Sequence, residues 1–156
     1  MTLKMLLPAS ALPKAVLDTN VIISGSLWRG PSSRVFDYAR EGKLKVCTSP
    51  YILDECVRVL HEDKFVRFLQ KQGTSPDGLV KAYEKIASTL PDVVLPGVVI
   101  RDPNDNIILG CAAAHGAHFI VSGDRHLQDV GSFAGIRILP PLQFLHEVMG
   151  EAGEGV

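Results

Sequence analysis

Four acidic side chains, Asp18, Glu55, Asp105 and Asp124, have the type and placement to do chemistry together. Asp18 and Asp124 each follow a short apolar run, and Glu55 and Asp105 fall in early turns of expected helices. Carboxylates gathered in one place repel one another, which raises their pKa values or splays them apart. A hard cation that prefers oxygen ligands, Mg²⁺ or Mn²⁺, relieves that repulsion. Phosphodiester hydrolysis is the reaction that most often uses such a cluster.

Each acid also has an ordinary use. Asp18 in Asp18-Thr19-Asn20 could be an Asx turn or a helix cap. Three polar residues directly after a buried strand argue for more, because Thr19 and Asn20 can orient a carboxylate or a bound water. Glu55 could be a solvated helical acid, yet Ile52 and Val59 place it at the boundary of an apolar face, whereas Asp54 points elsewhere. Asp102 suffices to cap the helix that opens at Pro103, which leaves Asp105 surplus to that need. Asp124 in Ser122-Gly123-Asp124 could be a turn residue or the cap of a short helix. The histidines form no ligand spacing with cysteine or with one another, so the sequence gives no sign of a zinc site.

The elements that must bring these acids together can be read from apolar runs and breakers. Strands are expected at Ala15-Val16-Leu17, Leu44 to Cys47, Phe119-Ile120-Val121 and Ile136 to Leu139, with one or two short extended pieces over Val93 to Ile100. A helix starting near Gly30-Pro31 ends at Gly42. Ser49-Pro50 opens the next, with Ile52, Leu53, Cys56, Val57 and Leu60 as its buried face. A second apolar stripe, Phe65, Phe68 and Leu69, ends near Gly73. Ser75-Pro76 opens a third helix carrying Leu79, Val80, Tyr83, Ile86, Ala87 and Leu90. A helix from Asp102-Pro103 runs to Gly116, and a last one spans Pro141 to Met149. Short apolar strands alternating with helices indicate a three-layer α/β/α sandwich around a mainly parallel sheet of four to five strands. Ligands of such folds bind at the carboxyl ends of the strands, where Asp18 and Asp124 fall.

Size and composition set the limits. The chain has 156 residues, 46% of them apolar and 21% charged, which suits one compact domain. Residues 14–149 are expected to form that domain, with 1–13 a loosely held leader and 150–156 a disordered tail. Lys4 before Met5-Leu6-Leu7 imitates a signal peptide, but Pro8 interrupts a stretch already too short. No run approaches the roughly 18 apolar residues of a membrane span. Cys47, Cys56 and Cys111 each lie inside an apolar run and read as buried thiols of a reducing cytoplasm. A net charge of −1 excludes a global basic field, so any nucleic acid must be held by a local patch. Arg29, Arg34, Lys64, Arg67, Lys71 and Arg125 could supply it, with the helical spacing placing Lys64, Arg67 and Lys71 on one face. Trp28 could stack on a base or anchor its loop.

Val16-Leu17-Asp18-Thr19-Asn20, Ser49-Pro50 through Glu55, Asp102-Pro103-Asn104-Asp105 through Ala113, and Ile120-Val121-Ser122-Gly123-Asp124, in this order and separation, resemble the PIN domain family. That family is a metal-dependent ribonuclease fold that includes the VapC-type toxins of toxin–antitoxin pairs. The resemblance covers about Ala15 to Met149. It implies a catalytic and metal-binding quartet at Asp18, Glu55, Asp105 and Asp124, with Asn20, Thr19 and Ser122 in support. It also implies Mg²⁺ or Mn²⁺ as cofactor, single-stranded or looped RNA as substrate, an antitoxin protein as partner, and a homodimer. Relatives of this type often carry another acid where this chain has His126, which implies a weaker second metal position. Two other functions fit the same acids: a catalytically silent PIN-like module that binds RNA or protein, and a phosphoacceptor signalling domain. The latter needs a paired acid at the first strand and a lysine after a late one, and neither is apparent.

Overall fold

A computed structural model describes residues 11–95 and 103–152. The chain begins with β1 (Lys14–Leu17), α1 (Thr19–Leu27), α2 (Pro31–Arg40) and β2 (Lys45–Thr48). Three helices follow, α3 (Pro50–Leu60), α4 (Asp63–Lys71) and α5 (Pro76–Ile86), and then a short strand β3 (Ala87–Thr89). The second half holds α6 (Pro103–His115), β4 (Phe119–Val121), α7 (Arg125–Val130), β5 (Ser132–Phe133), β6 (Ile136–Leu139) and α8 (Pro141–Glu147).

The strands form one sheet in the order β3-β2-β1-β4-β6-β5, parallel except for β5. Its central strands are almost wholly buried because helices cover both faces, which is why they read as continuous apolar runs. The expected α/β/α class is the observed one, and two short edge strands bring the sheet to six. Leu90 had extended the helical spacing of α5 in sequence, but the chain leaves the helix after Ile86 and pairs Ala87–Thr89 with β2. Residues 93–95 form no strand, and the rest of the extended piece expected to Ile100 lies outside the described residues, as do Asp102 and most of the expected leader and tail. Strand β5 exists because Ala134 and Gly135, both at positive φ, make a two-residue hairpin onto β6.

Chain order explains where a site must lie. From β1 the chain moves outward to β2 and β3, then returns to the other side of β1 for β4 and β6. The direction reverses between β1 and β4, and the carboxyl ends of those two strands flank the resulting crevice. Leu17 pairs with Val121, so Asp18 and Ser122 are the next residues on adjacent strands. The Asp18 N–H donates to the Val121 carbonyl at 3.1 Å, which locks that register. Below them the core is continuous, with Phe119 edge-on to Phe144 at 5.6 Å and Phe36 against Tyr83 at 5.3 Å.

Candidate functional site

Asp18 is the N-cap of α1. Its Oδ1 accepts from the Val21 N–H at 3.0 Å, and its Oδ2 accepts from the Ser122 hydroxyl. Ser122 in turn accepts from the Asp124 N–H at 3.0 Å, and Asp124 caps α7 through the His126 N–H at 2.8 Å. The loop after β4 is thereby tied to the end of β1. Glu55 sits in the second turn of α3, on the face that α3 shows to α1, and Asp105 is buried in the first turn of α6. All four carboxylates line one cleft of about 180 Å³, together with Thr19, Asn20, Tyr51, Ile52, Val59, Asn104 and Ile108. That volume has room for water, as a hydrated cation requires.

Asp18 is only 4% exposed. Burial pushes its pKa above the usual 3.8; the bonds from Ser122 and Val21 pull the other way, and the charge of Asp124 adds to the rise. Cys56 lies behind this wall. Burial, with the charges of Asp18 and Glu55 added, pushes its thiol up to about 12. All three cysteines are buried and free, as the sequence suggested.

The raised Asp18 fixes the sign of a pH effect. The folded chain binds that proton more tightly than the unfolded chain does. Stability contributed by Asp18 is therefore present below the ordinary carboxylate value and lost as pH climbs through the folded one. In chelator, melting of the wild type should fall relative to Asp18→Asn as pH rises above about 4. Added Mg²⁺ should shrink the gap. A gap constant from pH 4 to 8 would mean that Asp18 is not held uncompensated.

The donors of the cleft are oxygens, the set a hard dication prefers, and Asp18 is a buried carboxylate short of positive charge. In type the residues fit such an ion. In position they are not yet a cage: among the described residues no group of three or more His, Cys, Asp or Glu side chains stands ready to hold a metal. Asp124 is occupied as a cap, and Glu55 faces Arg58, with Nη2 to Oε1 at 2.5 Å and Nε to Oε2 at 3.1 Å.

The sequence missed Arg58, Tyr51 and Asn104. Tyr51 precedes Glu55 by one helical turn, a spacing that would have placed it on the cleft face. Its N–H is held by Asp92 at 3.2 Å, and its hydroxyl donates to Asn104, so it bridges the starts of α3 and α6. Among the described residues, none of the six expected cations lines the cleft. Arg34 is bound to Glu151 at 3.2 Å, and Lys64 lies over the Phe65 ring at 4.9 Å. Arg29, Arg67, Lys71 and Arg125 are exposed, Arg125 directly beside Asp124. Trp28, 53% exposed, packs against Phe65 with centroids 6.5 Å apart, so it anchors its loop on α4 while keeping an open face.

Comparison with known proteins bears on the fold and the family. The family model described as "PIN domain" matches residues 14–126. No curated protein matches the chain. Among solved structures, it is similar to a chain of VapBC2 from Rickettsia felis bound to a DNA fragment from their promoter. The TM-score is 0.55 and the identity 12%, over 80% of this chain and 96% of that one. At that identity the likeness is one of fold.

Proposed function

Because the chain belongs to the PIN domain family, whose members are generally nucleases that use divalent metal ions, we propose that it is a Mg²⁺- or Mn²⁺-dependent endoribonuclease acting on single-stranded or looped RNA. One observation carries the reading: Asp18, Glu55, Asp105 and Asp124, from four separate segments, line a single cleft at the switch point of the sheet. Asp18 and Asp105 are the most buried of the four and would hold the ion most directly, with Glu55 and Asp124 completing its surroundings. The ion, when bound, supplies positive charge at the scissile phosphate and acidifies an attacking water. Asn20, Thr19 and Ser122 orient the carboxylates and the water around them. Arg29 and Arg125, with Lys64, Arg67 and Lys71 on α4, offer phosphate contacts beyond the acidic floor, which by itself repels RNA. The narrow cleft favours an unpaired strand whose phosphate can be splayed into it. A toxin role, with an antitoxin as protein partner and a homodimeric state, is proposed on the likeness to VapBC2. Among the described residues no helix is long and apolar enough to cross a membrane.

The test is cleavage of unstructured RNA by the purified chain, expected with Mg²⁺ or Mn²⁺ and abolished by chelator. Chelator-resistant cleavage would overturn the metal-dependent reading. The Glu55–Arg58 pairing also favours a silent RNA-binding module, and that reading wins if RNA is bound but left intact with either ion. Ser122 tests the support of Asp18, because Ser122→Ala removes the donor to Asp18 and the acceptor of the Asp124 N–H at once. A fall in kcat of about 10- to 100-fold, with KM little changed, is expected for loss of a group that orients a metal ligand. An unchanged kcat would assign Ser122 to loop structure alone.

A further inference from the structure

The four acids of the cleft are held by different partners. Asp18 accepts from the Ser122 hydroxyl and the Val21 N–H and Asp124 from the His126 N–H, whereas Glu55 gives both oxygens to one guanidinium three residues along α3. That two-pronged geometry is the strong form of an arginine–carboxylate contact. The Glu55 side chain is 19% exposed and that of Arg58 is 68% exposed, so the pair reaches from the cleft wall into solvent. The hydrogen bonds to Glu55, and then its charge, hold the Arg58 pKa above its ordinary value.

We propose that Arg58 is a counter-ion latch: it neutralises Glu55 while the cleft lacks a dication, and is released to the RNA backbone when Glu55 turns to the ion. The inference rests on the metal-dependent reading above. Without a dication beside Asp18, Asp105 and Asp124, Glu55 turns to its own cation. A dication among those three offers Glu55 twice the charge in a less solvated place, and Coulomb attraction grows on both counts. Glu55 already lines the cleft, so the exchange begins with a side-chain rotation. Arg58, exposed and one helical turn beyond Glu55, does not itself line the cleft, so its released guanidinium reaches outward from the cleft wall. Glu62, one turn further on, is already 3.9 Å from Lys64. A phosphate brought to the cleft competes with Glu62, whose charge already acts on Arg58, and the guanidinium fork suits the phosphate better.

A latch competes with the ion, so removing it strengthens ion binding and weakens RNA binding. Calorimetric titration of Mn²⁺ into wild type and Arg58→Gln should show binding about two- to fivefold tighter in the variant, the scale of one exposed ion pair lost. KM for RNA should rise by a similar factor. Arg58 is exposed, and thermal melts would verify that the variant is folded. Mn²⁺ affinity unchanged or weakened in Arg58→Gln, with the wild type binding, overturns the latch and leaves the metal-dependent reading standing. No Mn²⁺ binding to either protein overturns both. Tighter Mn²⁺ binding with an unchanged KM overturns the RNA half of the exchange.

Discussion

Asp18→Asn is expected to reduce RNA cleavage by about 10²- to 10³-fold, the scale of losing one group that meets charge in a transition state. The fold should survive. Asn caps a helix as well as Asp does, so the bond from the Val21 N–H at 3.0 Å is retained. The amide NH₂ then takes the place of Oδ2 and can donate to the Ser122 oxygen, reversing that bond. What disappears is the negative charge, which burial makes costly and which a cation requires. The variant should therefore melt at or above the wild-type temperature in chelator while losing activity with Mg²⁺. Equal cleavage by the two proteins would place the activity elsewhere or in a contaminant.

Gly110→Ala should unfold the protein more readily, against the preference of the helix it sits in. Alanine is favoured over glycine inside a helix by about 1 kcal/mol. Here a Cβ would fall inside the van der Waals shell of the Val93 carbonyl oxygen and 2.8 Å from its carbon. Backbone cannot swing aside as a side chain can, and overpacking of this kind costs about 1–3 kcal/mol or more. The clash wins. Net of the helix preference the loss is about 1–2 kcal/mol, and at about 2–4 °C per kcal/mol for a chain of this size a fall of about 2–8 °C is expected in a thermal scan. A rise would show that α6 and the Val93 segment separate without cost. Val93 follows Asp92, which caps the Tyr51 N–H, so the displacement should also loosen one wall of the cleft.

Much of this architecture is legible in the residues because its signals are local. Asp18, Ser122 and Asp124 stop apolar runs, and Pro31, Pro50, Pro76 and Pro141 each stand at the first position of a helix. Topology then brings those strand ends together, as expected for a parallel sheet. Strand β3 was hidden because Ala87-Ser88-Thr89 has no apolar alternation; it is a strand only through its pairing with Val46, Cys47 and Thr48. Strand β5 is two residues set by a turn. Arg58 escaped notice because a surface arginine on a helix ordinarily signals solubility, and only the carboxylate three residues back gives it another meaning. The cations expected to hold RNA were chosen by charge alone, and charge does not say which of them lies near the cleft.

The hydrogen bond from Ser122 to Asp18 joins residues 104 positions apart. Such distant pairing gives the centre of the sheet a high contact order, which slows folding and makes it depend on almost the whole polypeptide. A nascent chain leaving the ribosome displays Asp18 and Glu55 long before Asp105 and Asp124 have been translated. Prematurely terminated fragments are thus chemically incomplete, and competence arrives late in synthesis as a single step.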